Sequence, residues 1–137
     1  MLKNIISPGT HGTFGSLGLL ILRIGCGGTM AAAHGWQKLT GFAENSAEFP
    51  DPLGFGSVPS MALTVFAEFF CALAVVLGLF TRVAVIPLLV TMLVAFFVIH
   101  SDDPFKVKEL SLLYAISFLA LFFTGAGKFS LDGALKR

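Results

Sequence analysis

Residues 61–100 read MALTVFAEFFCALAVVLGLFTRVAVIPLLVTMLVAFFVIH, and this stretch decides the fold. It contains two apolar runs, 61–79 and 82–100, that are joined only through the short link GLFTR. Each run comes close to the roughly 20 apolar residues that a helix needs to cross a bilayer. Because a link this short brings successive helices back alongside each other, the sequence predicts a tight hairpin of two membrane-spanning helices.

Two further apolar segments, 16–36 and 107–123, flank this hairpin in the chain. A membrane β-strand needs only about 9–11 residues and alternates apolar with polar side chains, which these uniformly apolar segments do not do. We therefore predict an all-α, integral membrane four-helix bundle that forms a single domain over residues 1–137. The link 37–60 is predicted as an outer loop that folds back on the bundle, and 125–137 as a cytoplasmic tail.

The composition favours a lipid bilayer over water as the solvent. Hydrophobic residues make up 55% of the 137-residue chain and charged residues 12%, with a mean hydropathy of +0.87. Soluble domains carry about 25% charged residues. The net charge of +1 gives no electrostatic basis for binding nucleic acid. Cys26 and Cys71 form neither a disulfide framework nor a metal-binding spacing, and we interpret them as small apolar residues.

The distribution of Lys and Arg predicts the orientation, since basic residues concentrate on the cytoplasmic side. One side of the predicted bundle carries five of them and the other side three. The larger group consists of Lys3, Arg82, Lys128, Lys136 and Arg137, and the smaller one of Lys38, Lys106 and Lys108. Both termini are therefore predicted in the cytoplasm. The first helix is expected to act as an uncleaved signal-anchor, because residues 1–15 contain no apolar run of their own.

Several ionisable residues fall within the predicted helices, where charges are rare and usually face the bundle interior. In the up-and-down topology, each helix contributes one His or Glu to the outer half of the bundle. These residues are His34, Glu68, His100 and Glu109. Glu68 is the deepest, roughly 10 Å below the outer boundary at about 1.5 Å per residue. No neighbour within TVFAEFFCAL could balance its charge, so Glu68 is the central acid of the predicted pocket.

Four-helix bundles build metal and cofactor sites from inward-facing His and Glu side chains. Imidazoles and carboxylates together suit zinc, iron or manganese, and they equally suit hydrogen bonds to a quinone head group or a proton relay. The alternative is that His34 and His100 are interfacial residues at helix ends, and that Glu109 is favoured by the dipole of its helix. Trp36 and Lys38, at the end of the first helix, are of the types that anchor helices at a membrane interface.

Arg23 lies deep in the first helix, on the same helical stripe as His34. It is expected either to extend towards the cytoplasmic interface or to face the interior beneath the pocket. Tyr114 follows Glu109 by five residues in the fourth helix. This spacing predicts that Tyr114 points to the opposite side of that helix and packs elsewhere.

Three blocks of the sequence resemble the DoxX family of small four-helix membrane proteins: LRIGCGGTMAAAHGWQKLTGF, AEFFCALAVVLGLFTRVAVIPLLVTMLVAFFVIH and KELSLLYAISFLALFFTGAGKFSLD. The resemblance extends from Leu17 to Asp132. No single short element is diagnostic, but the ordered set of residues is fairly specific. The matching residues are Arg23, His34, Gly35 and Lys38 in the first block, Glu68, Gly78, Thr81, Arg82 and His100 in the second, and Glu109, Tyr114, Gly125, Gly127, Ser130 and Asp132 in the third.

The resemblance implies a multi-pass protein of the bacterial inner membrane, of a kind often described as an oxidoreductase or as a subunit of one. Some members of the family are linked to quinone-coupled sulfur oxidation or to oxidative-stress complexes. The sequence contains no nucleotide-binding fingerprint, c-type haem motif or Cys-x-x-Cys. Electrons would therefore have to come through a bound ligand or a soluble redox partner.

Our leading hypothesis is an inner-membrane subunit of a redox system, with a quinone or a divalent metal as the candidate cofactor. The candidate catalytic residues are Glu68, His34, His100 and Glu109, and the candidates for binding the cofactor are Arg23, Lys38 and Glu68. One alternative is a transport protein for a small solute, ion or proton, which would need a homo-oligomer to enclose a pore. The other is a non-catalytic membrane scaffold for soluble enzymes.

Overall fold

The computed structural model describes residues 2–5 and 7–135. Within them the chain forms helices and no strand, and four helices are long and apolar enough to cross a membrane. In chain order the helices are α1 (Leu2–Ile5), α2 (Thr13–Thr40), α3 (Phe42–Asn45), α4 (Ser57–Leu77), α5 (Thr81–Ile99), α6 (Phe105–Thr124) and α7 (Leu131–Leu135), with a 3₁₀ turn at Ser46–Glu48. The predicted all-α fold with four spanning helices is confirmed.

The spanning helices run up and down, with α2 packed on α4, α4 on α5 and α5 on α6. The segments that flank the bundle meet at the end where α4 turns into α5. There the amide of Gly127 donates to the carbonyl of Pro8 (2.8 Å), and the amide of Asp132 donates to the carbonyl of Gly78 (2.9 Å). We call this the termini end. The opposite end, which carries residues 41–56 and the α5–α6 turn, is called the loop end.

The side of the membrane on which each end lies stays a prediction from the distribution of basic residues. Lys136 and Arg137, which contribute to that prediction, lie outside the described residues. At the termini end, Lys128 is exposed. At the loop end, the side chain of Trp36 is also exposed, as membrane-interface anchoring requires.

Helix α2 is longer than predicted. The sequence placed its end at Trp36, but the helix continues to Thr40, so Lys38 lies on a spanning helix and not in a loop. Three spanning helices also contain a π-helical segment, which closes its hydrogen bonds one residue further along than an α-helix and so re-aims the side chains around it. These segments are Met30–Gly35 in α2, Phe66–Cys71 in α4 and Ala95–Ile99 in α5. Those of α2 and α5 lie in the half of the helix towards the loop end, and that of α4 lies near the middle.

A cluster of polar contacts closes the termini end. The buried Asp132 carboxylate accepts hydrogen bonds from the amides of Phe80 (2.7 Å) and Thr81 (3.0 Å), and so caps the start of α5. Gly78, in the turn before it, has a left-handed φ of +69°, and a Cβ at this position would meet the guanidinium of Arg23. The turn between α4 and α5 therefore depends on a glycine within it and on a carboxylate from the C-terminal segment.

The interior and the outer surface of the bundle are both apolar, as expected of helices surrounded by lipid. Large apolar side chains are exposed along all four spanning helices. The largest fully buried apolar side chains are Met30, Val75, Val85, Leu88, Phe118 and Leu121. Against this background the buried charged residues, Arg23, Glu68 and Asp132, mark the two places where the fold needs polar contacts.

Asp132→Ala should destabilise the protein by about 1–2 kcal/mol, because two backbone amides at the start of α5 lose their acceptor. The measurement is thermal unfolding of the purified protein in detergent micelles. Asp102→Ala is the matched control, since Asp102 is exposed in the α5–α6 turn and should be replaced without loss. Equal melting temperatures for the two variants would show that the Asp132 carboxylate does not stabilise the turn.

Candidate binding site

A cavity of about 710 Å³ lies at the loop end of the bundle. Helices α4, α5 and α6 form most of its walls, α2 contributes one side, and residues 49–55 lie over it. The lining is mainly apolar, and it meets the buried core at Met30 and Met92. Its ionisable side chains are His34, Lys38, Glu68, His100 and Tyr114. The volume is that of a small-molecule site, for which roughly 300–1,000 Å³ is usual.

The π-helical segments of α2 and α4 meet beside this cavity. A Cβ added to Gly35 would lie 2.4 Å from the carbonyl oxygen of Glu68 and 2.7 Å from the amide nitrogen of Phe69, so only glycine allows this approach. His34 precedes Gly35 in the first segment, and Glu68 belongs to the second. The close contact between the two backbones therefore fixes His34 and Glu68 relative to each other.

Lys38 provides the countercharge that the sequence around Glu68 lacks. Its Nζ lies 2.5 Å from Oε2 of Glu68, whose side chain is only 6% exposed, while that of Lys38 is 27% exposed. A buried carboxylate is strongly destabilising unless it is paired, so this ion pair is what permits the acid at this depth. The other carboxylate oxygen, Oε1, has no hydrogen-bond partner in the described part of the chain.

His34 and Tyr114 contact each other at the cavity. Their ring centroids lie 5.8 Å apart in an edge-on arrangement, and the Tyr114 ring stacks on Phe118 at 5.9 Å. Neither the imidazole of His34 nor the hydroxyl of Tyr114 has a hydrogen-bond partner among residues 2–5 and 7–135. Both side chains line the cavity, so their polar atoms are available to a ligand. The expectation that Tyr114 packs elsewhere is wrong.

The other two residues of the predicted pocket are placed differently. His100 lies at the rim of the cavity, with its Nδ1 2.7 Å from Oδ2 of Asp103. Glu109 is exposed and does not line the cavity. The stripe of α6 that faces the cavity contains Tyr114 and the residues three, four and seven positions before it. Position 109 lies on another face of the helix, as the five-residue spacing requires.

Arg23 is buried inside the bundle, the second of its two expected placements, but it does not line the cavity. It shares a helical stripe with His34, but the 11 residues between them correspond to roughly 16 Å along the helix axis. The buried guanidinium donates to the carbonyl of Val76 (3.3 Å) and to that of Phe129. Arg23 thus ties α2 to the end of α4 and to the C-terminal segment, and it contributes to structure at the termini end.

The predicted metal donors do not come together. Within residues 2–5 and 7–135, no three His, Cys, Asp or Glu side chains lie close enough to hold a metal ion. Zinc sites take three or four such ligands, and the metals with carboxylate-rich sites take at least as many. The polar chemistry that this cavity offers therefore consists of hydrogen bonds, proton exchange and one ion pair.

The segment over the cavity is held by Asp51. Its carboxylate accepts hydrogen bonds from the amides of Gly56 (2.8 Å) and Phe55 (2.9 Å) and from the hydroxyl of Ser60 (2.9 Å). These hydrogen bonds hold the pKa of Asp51 below its ordinary value of 3.8, and the one from the Gly56 amide has the largest effect. Asp51 therefore fastens residues 49–55 to the first turn of α4 whenever it is ionised.

The fold and the cavity define a class of protein: a multi-pass membrane protein whose helix bundle holds a small-molecule-sized cavity at one end. The model of the DoxX family matches residues 18–101, which is more than half of the chain, and the chain belongs to this family. A protein of Haemophilus influenzae described as uncharacterized is 30% identical over 109 residues, which cover 74% of this chain and 71% of that one. No solved structure matches the chain significantly.

The sequence resemblance to the DoxX family is thereby confirmed. The matched range contains His34, Lys38 and Glu68 but ends before α6. Tyr114, the fourth side chain at this part of the cavity, lies outside it.

Gly35→Ala should destabilise the protein by roughly 1–3 kcal/mol, because the new methyl group meets the backbone of α4 and the helices must move apart. Gly25→Ala is the matched control on the same helix, since a Cβ there has no heavy atom within 4 Å. Thermal unfolding of both variants in detergent checks the difference. Should Gly25→Ala lose as much stability as Gly35→Ala, the close approach of α2 and α4 would not be the cause.

The order of residues 49–55 should depend on pH at the acidic end. Because the pKa of Asp51 is lowered by folding, its stabilising contribution is complete above about pH 3.8 and disappears as the pH falls through the lower pKa of the folded protein. The amide resonance of Gly56 in a nuclear magnetic resonance titration reports this transition. Asp51→Asn is the control and should abolish the titration. A midpoint above 3.8 in the unmodified protein would contradict the lowered pKa.

Proposed function

We propose that the protein is the membrane subunit of a redox system and that its cavity binds the head group of a lipid-soluble quinone. One observation carries the proposal: the His34 ring and the Tyr114 hydroxyl lack hydrogen-bond partners in the described chain, beside a charged pair in an otherwise mainly apolar cavity. Both polar groups are accessible at the cavity surface, and a ligand with matching groups forms hydrogen bonds there that the protein itself does not form.

The donors at the cavity suit a quinone. A quinone ring is planar and apolar apart from its carbonyl oxygens, which accept hydrogen bonds and donate none. The ammonium of Lys38, the hydroxyl of Tyr114 and the imidazole of His34 are all able to donate. The apolar walls, formed mainly by α4, α5 and α6, suit the ring faces and the first part of a hydrocarbon tail.

The same residues suit proton exchange with such a substrate. Reduction of a quinone to a quinol adds electrons and protons at the carbonyl oxygens. The Oε1 atom of Glu68 and the imidazole of His34 are groups that hold or release a proton next to the cavity. His100, paired with Asp103 at the rim, extends this set of proton-exchanging groups towards the loop end.

The electrons require a second protein. The sequence has no Cys-x-x-Cys, c-type haem motif or nucleotide-binding fingerprint through which it could collect them. We therefore include a soluble redox partner in the proposal. With the termini in the cytoplasm of a bacterium, as the basic residues predict, the cavity would lie in the periplasmic half of the inner membrane.

The interior of the bundle favours binding over transport. Below the cavity, the centre of the bundle is filled by buried apolar side chains, including Met30, Leu88 and Phe118. Conducting paths for ions or protons are lined by polar groups or water, which a core of this kind excludes. This packing supports a binding cavity that has no polar path through the bundle to the termini end.

Tyr114→Phe and His34→Gln should each weaken quinone binding about 5–10-fold, which is the loss of roughly one hydrogen bond. The measurement is equilibrium binding of a short-tailed benzoquinone to the protein in lipid nanodiscs. The double variant should lose less than the product of the single effects, because the two side chains are in contact. Ser117→Ala, which removes a hydroxyl from another face of α6, is the matched control and should bind normally.

Glu109→Gln distinguishes the position of Glu109 in the structure from the position predicted from the sequence, which placed this residue in the pocket. Because Glu109 is exposed outside the cavity, this variant should bind quinone as tightly as the unmodified protein. No saturable binding of any quinone, or binding that Tyr114→Phe and His34→Gln leave unchanged, would refute the proposed function.

A further inference from the structure

We infer that the ligand of the cavity enters and leaves sideways, from the hydrocarbon interior of the bilayer, through a gap between α4 and α5. We call this gap the lateral portal and define it by four residues, Leu63, Phe66, Ile86 and Val90. The inference rests on the proposed function and deepens it, because the route restricts the substrate to amphiphiles that dissolve in the membrane. Their polar head would reach Lys38, and their apolar tail would remain in the portal.

The portal residues belong to the cavity and to the outer surface at the same time. All four line the cavity. Their side chains are nevertheless about half exposed: 55% for Leu63, 51% for Phe66, 45% for Ile86 and 50% for Val90. They lie on spanning helices, where the exposed surface faces lipid. The cavity is therefore continuous with the lipid-facing surface between α4 and α5.

The depth of the portal excludes an approach from the water phase. Val90 and Ile86 precede Ile99, the last residue of α5, by 9 and 13 residues. At about 1.5 Å per residue they lie roughly 14 and 20 Å from that end of the helix. The hydrocarbon core of a bilayer is about 30 Å thick, so this part of the portal lies near its middle. A ligand reaches such a depth from the side only by first partitioning into the lipid.

The water-facing end of the cavity is lined by residues 49–55, which Asp51 fastens to Gly56 and Ser60. Leu53 and Phe55 are 53% and 59% exposed, so this segment bounds the end of the cavity without sealing it. Several of the segment's side chains are bulky and apolar, among them Phe49 and Leu53. The arrangement leaves the polar groups near this end and the apolar opening at the membrane centre. This polarity matches an amphiphile whose head points to the loop end and whose tail points into the bilayer.

The composition of the portal agrees with an apolar tail. Each of its four residues is a hydrocarbon side chain. Thr64 and Thr91, which follow Leu63 and Val90 in the sequence, already donate their hydroxyl groups within their own helices, to the carbonyls of Ser60 and Pro87 at 2.8 Å each. A polar tail would therefore find few free partners there, whereas a polyprenyl or alkyl chain needs none.

Photolabelling tests the inference directly. The probe is a benzoquinone with a diazirine near the end of a ten-carbon tail, added to the protein in lipid nanodiscs, with and without excess unlabelled quinone. We expect labelling that excess quinone displaces at α4 and α5, on peptides containing Phe66 and Val90. Displaceable labelling of residues 49–55 instead would place the tail at the water-facing end and overturn the lateral portal, while leaving quinone binding intact.

Two further outcomes separate the failure of the portal from that of the proposed function. If excess quinone displaces no label anywhere, quinone does not bind and both proposals fall. If a diazirine-bearing phospholipid labels the portal much more strongly than Leu93, which faces lipid outside the cavity, and excess quinone does not displace this label, the gap belongs to a bound lipid. The lateral portal for the substrate is then overturned.

Val90→Trp narrows the portal and provides a second test. Displaceable labelling by the tailed probe should fall at least 5-fold, which corresponds to about 1 kcal/mol of binding free energy. The affinity for a tail-less, water-soluble benzoquinone should change by less than 2-fold, or about 0.4 kcal/mol. Leu93→Trp is the matched control, because Leu93 is exposed on the same helix but does not line the cavity. Equal effects of the two tryptophans on the tailed probe would refute the portal. Val90→Phe replaces Val90→Trp if the larger side chain lowers the melting temperature.

Discussion

The close approach of Gly35 to the backbone of Glu68 is the constraint on which the cavity depends. Because α2 carries no side chain at this point, it lies near enough to α4 for Lys38 to reach the Glu68 carboxylate. That ion pair makes a carboxylate tolerable inside the bundle. The same contact holds His34 beside the cavity, opposite the ring of Tyr114. The absence of a side chain at Gly35 thus helps to bring polar groups of α2, α4 and α6 to one end of the cavity.

The sequence was informative about the fold because the bilayer imposes a length on each helix and short links impose a topology. It also singled out Glu68, since an acid within an apolar run has no local partner. The partner, Lys38, could not be assigned because Trp36 looks like the end of a helix, although the helix continues to Thr40. Glu68 itself lies in a π-helical segment, which no spacing rule of a regular α-helix predicts.

The candidate residues in the outer half of the bundle also show how far the sequence predicts the position of a side chain. Depth along each helix was predictable from residue counts, but the direction of a side chain was not. Glu109 and Tyr114 were correctly expected on opposite faces of α6, yet which face meets the cavity depends on how that helix is rotated against α5. Arg23 shows the complementary case. Its stripe on α2 was predicted, but its partner, the carbonyl of Phe129, belongs to a segment 106 residues away that no local pattern connects to it.

The contact between Arg23 and Phe129 also has a consequence for biogenesis. Arg23 belongs to the first spanning helix to leave the ribosome, whereas Phe129, and then Asp132, are among the later residues to be synthesised. Until they arrive, the membrane holds an arginine without this partner and a turn between α4 and α5 without its cap, both of which are unfavourable in hydrocarbon. Completion of translation and closure of the bundle are therefore coupled. A chain that stops before residue 129 leaves the Arg23 guanidinium and the amides at the start of α5 without these partners.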